Sequence, residues 1–120
     1  MEKTPDMYAQ EYLTAKKNLL EQCVQLTIQV GSQLGNIPET HKLLGARKQL
    51  LVQMSQLDQD YAQALAGYPF TEEDMEPIAL LAEQMWTIDD HITDAMRNNK
   101  TDIQDFLNEI NLEAVHTLEQ

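Results

Sequence analysis

Three histidines, a single cysteine and twenty carboxylates are the groups through which this 120-residue chain could do chemistry. Glu113 and His116 have the i, i+3 spacing by which helical bundles hold a di-iron centre, with both ligands on one helical face. Such a centre needs a second pair and two further carboxylates. The chain has no second Glu-x-x-His, so the pair reads as part of a solvated face. Asp89, Asp90, His91 and Asp94 also group metal-ligating residue types, but adjacent helical positions point about 100° apart, which separates Asp89 from Asp90. A solvated acidic face is the expectation there. Cys23 has no partner in the chain and no basic or histidine neighbour in sequence to lower its pKa, so it is expected to pack in the apolar pattern around it. Enzymes gather convergent polar groups in an apolar setting, and none gather here, so no metal, cofactor or catalytic set is expected. Arg47 is different. On the line Leu43, Arg47, Leu50, Met54 it sets a guanidinium on or beside an apolar stripe. Either its stem covers the core edge with the head in water, or it is paired, with a carboxylate on the third helix such as Asp89 or with a partner.

The elements that must position these groups are legible as periodicity. Tyr8, Tyr12, Ala15, Leu19, Cys23, Leu26, Val30 and Leu34 recur three or four apart, which predicts a first helix opened by Pro5. It is expected to end near Gly35, where Gly31, Gly35, Asn36 and Pro38 would supply a cap and a turn. A second run through Leu43, Leu50, Met54, Leu57, Tyr61 and Leu65, widened by Leu44 and Leu51, ends at Gly67, Tyr68, Pro69 and Phe70. Thr71 then reads as an N-cap, with Glu72, Glu73 and Asp74 in the first turn and Pro77 near the start, where a missing N–H costs least. The third pattern runs Ile78, Leu81, Met85, Ile88, Ile92, Met96 and on to Ile103, Phe106, Ile110 and Ala114. Asn98, Asn99 and Thr101 are weak helix formers, and Thr101 with Gln104 has capping-box spacing, so a break or kink is expected there. The fold expected is all-α: an up-and-down antiparallel bundle of three to four helices with a long or kinked third helix. Residues 1–120 form one domain, with 99–120 separable as a C-terminal helix or lid.

Composition narrows the function. Four Gly and four Pro, with Leu, Ala and Met abundant, make a helix-forming chain. The net charge is −12 with only eight basic side chains, too few to neutralise a run of phosphates, which disfavours nucleic acid and anionic membrane surfaces. Residues 1–60 carry six basic and seven acidic groups, and residues 61–120 two and thirteen, so the excess negative charge lies in the second half. No apolar run is long enough to span a membrane and Met1 to Gln10 does not resemble a signal peptide, so a cytoplasmic location is expected. Ile103, Phe106, Leu107, Ile110, Leu112, Val115 and Leu118 spread over half or more of a helix circumference, more apolar surface than one stripe needs. Either this tail docks as a fourth helix and is covered by self-association, which would favour a homodimer, or it helps take up another protein's amphipathic helix. Met75, Met85 and Met96 would add an adaptable surface to such a site.

Two resemblances bear on these alternatives. Thr40, His41, Lys42, Leu43, Leu44, Gly45 and Ala46 resemble the histidine phosphotransfer motif, with His41, Leu43 and Gly45 in place and Leu44 where that family has a lysine. The resemblance implies a signalling bundle with His41 as phosphoacceptor, while the residues alone allow a solvent-facing His41. Over nearly the whole chain, a Tyr-containing first helix, the stretch Ala46, Arg47, Lys48, Gln49, Leu50, Leu51, and the stretch Met85, Trp86, Thr87, Ile88, Asp89, Asp90, His91, Ile92 are similar to the FliT/FlgN group of flagellar export chaperones. That resemblance implies a cytoplasmic, non-catalytic protein that holds an amphipathic segment of a late flagellar substrate, a filament cap or hook–filament junction protein, for type III export. The partner-binding residues expected from it are Met85, Ile92, Met96, Ile103, Phe106, Leu107 and Ile110, with the segment after Asn98 as a lid on the groove. A non-catalytic helical scaffold is the remaining alternative.

Overall fold

The computed structural model describes residues 3–98 together with 103, 106 and 107; Ile110, Glu113 and His116 lie outside the described residues. Three helices are present, α1 (Pro5–Ser32), α2 (Ile37–Tyr61) and α3 (Glu72–Arg97), and no strand occurs among the described residues. Each start is set by a side chain that accepts from an otherwise orphaned N–H: Thr4 from Met7, Asn36 from Glu39, and Thr71 from Asp74 at 3.0 Å. At α3 the cap is reciprocal, since Asp74 Oδ2 accepts from the Thr71 N–H at 3.2 Å. Asn98 closes the helix by donating from both its backbone N–H and its side-chain Nδ2 to the Asp94 carbonyl.

Two expected boundaries are corrected. Asn36 and Pro38 do not end the first helix, which stops at Ser32; they open the second, Asn36 as N-cap and Pro38 in the first turn where no donor is lost. The second helix stops at Tyr61 rather than running to Gly67. Residues 62–67 form turns, closed by hydrogen bonds such as Leu65 N–H to Tyr61 O and Tyr68 N–H to Leu65 O. Gly67 takes φ 73°, a left-handed conformation that glycine adopts without a Cβ clash. Apolar spacing continues through Leu65, but the chain turns after Tyr61, and Phe70 comes to lie beside Tyr12.

The core lies along α1, which supplies Leu20, Cys23, Val24, Thr27 and Val30, and along the facing stripe of α3, Ile78, Leu81, Met85, Ile88 and Ile92. Thr27 is buried without penalty because its Oγ1 donates to the Cys23 carbonyl at 2.7 Å. α2 contributes only Leu43 and Met54 as buried side chains. α1 packs on both other helices, whereas among the described residues α2 and α3 nowhere approach within 8 Å, Cα to Cα. The backbones of α2 and α3 are thus held further from each other than either is from α1, which leaves a seam between them.

Gly31 is buried near the end of α1 because a Cβ there would lie 3.1 Å from both Ile103 Cδ1 and Leu107 Cδ2. Gly31→Leu is therefore expected to evict Leu107. Losing a buried Leu contact worth ~1.5–3 kcal/mol would raise the released population roughly ten- to a hundredfold. Limited trypsinolysis at Arg97 should accelerate accordingly while circular dichroism still reports the helical content of the parent chain.

Candidate functional site

The open seam holds a groove of about 620 Å³. One wall is α2, with Ile37, Thr40, His41, Leu44 and Arg47; the other is α3, with Asp89, Thr93 and Met96; Val30, Leu34 and Ile92 complete it. Side chains that should be covered are not: Ile37 is 69% exposed, Met96 65% and Leu44 42%. Helical spacing explains the arrangement. On α2, Leu43 and Leu50 pack into the core, while Ile37, Leu44 and Leu51 repeat every seven residues one position away and so form a second, exposed stripe. On α3, Met96, Thr93 and Asp89 step back by three and four residues to Trp86, 64% exposed and the chain's only tryptophan. The groove-facing stripes thus continue past the groove itself, to Leu51 and Trp86.

Across the groove Arg47 Nη2 donates to Asp89 Oδ2 at 2.6 Å, joining α2 to α3 by side chains alone. The pair is half-buried, and Arg47 Nε is buried without a hydrogen-bond partner. The contact is therefore single-pronged, unlike the two-pronged fork that Arg and a carboxylate make when unconstrained. Cys23 feels this charge weakly. Burial pushes its thiol up, and the Arg47 charge offsets part of that. With the side chain fully buried, Cys23 is a packing residue.

Of the residues expected to bind a partner, Met96 lies exposed on the groove wall and Ile92 is buried at its base. Met85 and Leu107 are buried in the core, and Ile103 and Phe106 are half-buried against it. Phe106 stacks on His91 with ring centroids 3.5 Å apart. His41 is exposed on the groove rim, and its neighbour Thr40 donates to the Gln33 carbonyl at 2.5 Å. Asp90 and Asp94 are exposed while Asp89 turns to Arg47, so the acidic run is divided between faces. Among the described residues no three His, Cys, Asp or Glu converge to hold a metal ion, and no helix is long and apolar enough to cross a membrane. Sequence reasoning did not place Ile37, Leu44 or Thr93 in a site. The seven-residue spacing of Ile37, Leu44 and Leu51 was the available signal.

The far end of the molecule is closed by aromatic side chains. All four tyrosines gather there with Phe70: Tyr12 lies 5.7 Å from Tyr61 and 6.2 Å from Phe70, centroid to centroid, Tyr8 meets Tyr61, and Tyr68 meets Phe70. Their hydroxyls donate to carboxylates: Tyr12 to Asp58, Tyr61 to Glu11 and Tyr68 to Asp6. Lys16 donates to both Tyr12 and Asp58. Tyr12 is pushed up mainly by burial and then by the hydrogen bond to Asp58, Tyr61 by burial and then Glu11, and Tyr68 by its hydrogen bond to Asp6. A raised pKa means that the contribution of these groups to stability is intact below about pH 10 and is lost as pH climbs through the folded-state values. An absorbance titration of tyrosinate should place these three ionisations above about 10 in the folded protein, returning to about 10 in denaturant. Coincident folded and unfolded curves would contradict the hydrogen-bonded arrangement.

No protein-family model matches the chain, and no curated protein or solved structure is significantly similar to it.

Proposed function

We propose that the chain is a non-catalytic helix-binding protein whose groove between α2 and α3 takes up an amphipathic helix of another protein, in the manner of a flagellar export chaperone. The observation that carries the reading is the open apolar seam, with Ile37, Leu44 and Met96 exposed on opposite walls. A partner helix seated there would occupy the fourth position of a bundle and bury apolar area at roughly 25 cal/mol per Å². An up-and-down antiparallel order of the helices supports this geometry: Tyr12 near the start of α1 meets Asp58 near the end of α2, and Arg47 meets Asp89. Charge argues for a different protein rather than a second copy. Each copy carries −12, so two copies repel, whereas a helix with a neutral or basic polar face is attracted. The resemblance to the FliT/FlgN group names the client class as a late flagellar substrate held in the cytoplasm.

The test is mass-resolved size exclusion of the chain alone and mixed with C-terminal peptides of flagellar cap and hook–filament junction proteins. A stoichiometric shift with one peptide is expected, accompanied by a blue shift of Trp86 fluorescence as its stripe is covered. A dimer indifferent to every peptide would leave a self-associating scaffold in its place.

A further inference from the structure

Besides its apolar side chains and the neutral polar groups of Thr40, His41 and Thr93, the groove carries one pair of opposite charges, Arg47 and Asp89, set across its walls. A pocket that served only to bury apolar surface would gain nothing from two charges there, since removing them from water costs more than a hydrophobic pair of similar volume. Their geometry offers a donor on one wall and an acceptor on the other. Only Arg47 Nη2 reaches Asp89, through Oδ2; Nε is itself buried, so the guanidinium would meet a ligand through its Nη hydrogens and Asp89 through Oδ1. The guanidinium can only donate and the carboxylate can only accept. A single neutral side chain answers both at two separate atoms: the carboxamide of Asn or Gln, whose oxygen accepts from Arg47 while its NH₂ donates to Asp89. A carboxylate in that place would satisfy Arg47 and face Asp89 at like charge; an ammonium would do the reverse. An aliphatic side chain would remove the pair from water and return no hydrogen bond.

Resting on the reading that the groove binds a helix, we propose that Arg47 and Asp89 select a partner helix carrying an Asn or Gln within its apolar stripe, and that this contact fixes the helix's register. The same logic fixes register in coiled coils, where one buried polar residue in an apolar seam penalises every slipped alignment. Leu44 on one side of the pair and the Trp86 stripe on the other would then receive the flanking apolar turns. The proposal thus converts a non-specific apolar slot into one that reads a single position.

The test uses the full chain and four 18-residue amphipathic peptides with leucines on the apolar stripe and lysines on the polar face. They differ only at the central stripe position, which is Gln, Leu, Glu or Lys. Binding is followed by Trp86 fluorescence at near-physiological salt, where the electrostatic attraction common to all four is screened. The Gln peptide is expected to bind about tenfold or more tightly than the others, the scale of hydrogen bonds to charged groups. In the double variant Arg47→Leu with Asp89→Leu the preference should pass to the Leu peptide. In the exchanged pair Arg47→Asp with Asp89→Arg it should stay with Gln, because a donor and an acceptor still face each other. Equal binding of all four peptides, or a Gln preference that survives the double Leu variant, would overturn the selection while leaving the groove as a helix site. Failure of every peptide to bind would overturn the groove reading and the selection with it.

Discussion

Ile88→Ala is expected to lower the unfolding free energy by about 2–5 kcal/mol, the range for truncating a fully buried aliphatic side chain when the cavity collapses only in part. Ile88 is 0% exposed near the middle of α3, in the same cluster as Cys23 and Val24 of α1 and Leu81 and Met85 of its own helix. For a domain whose total stability is on the order of 5–15 kcal/mol, such a loss is a large share of the whole. Denaturant unfolding followed by circular dichroism measures it. Trp86→Ala, two residues earlier, provides the contrast: the indole is mostly exposed, and its removal should shift stability by no more than about 0.5 kcal/mol. Equal losses at the two positions would mean that α3 is rotated about its axis from the orientation described.

The second large effect is on binding. Leu44→Asp combined with Met96→Asp places a carboxylate on each wall of the groove, at positions that are already exposed and so cost the fold little. For a helix seated between them, two apolar contacts worth ~1.5–3 kcal/mol each are lost, and the affinity should fall by roughly a hundredfold or more. The measurement is a titration of the variant with whichever client peptide shifts the parent chain, beside a denaturant curve showing unchanged stability. Undiminished affinity would move the site away from the α2–α3 seam. The two experiments are complementary, since one changes stability through a residue that no partner can reach and the other changes binding through residues that the fold does not need.

The difference between those residues is one of register, and this is also where sequence and structure part. Helical class, the number of helices in residues 3–98 and their core stripes follow from local rules. Apolar spacing of three and four, Thr71 with Asp74 as a reciprocal cap, and scarce Gly and Pro act within a few residues and need no partner. Cys23 and Ile88 were therefore legible as interior positions. Arg47 was legible as a charge beside an apolar stripe, with Asp89 among its candidate partners. Whether a given apolar side chain became core or groove wall was not. Met85 and Leu107 share their residue types and spacing with Met96 and Leu44, yet the first two are covered and the last two are open. Periodicity reports that a side of a helix is apolar. Which helix then lies against it depends on how the rods pack, and here α1 is the neighbour of both others, leaving α2 and α3 without close backbone approach among the described residues. The turn after Tyr61 brings Phe70 beside Tyr12, a contact between residues distant in sequence that periodicity does not report, whereas Asn36 opens the second helix through a local bond to the Glu39 N–H.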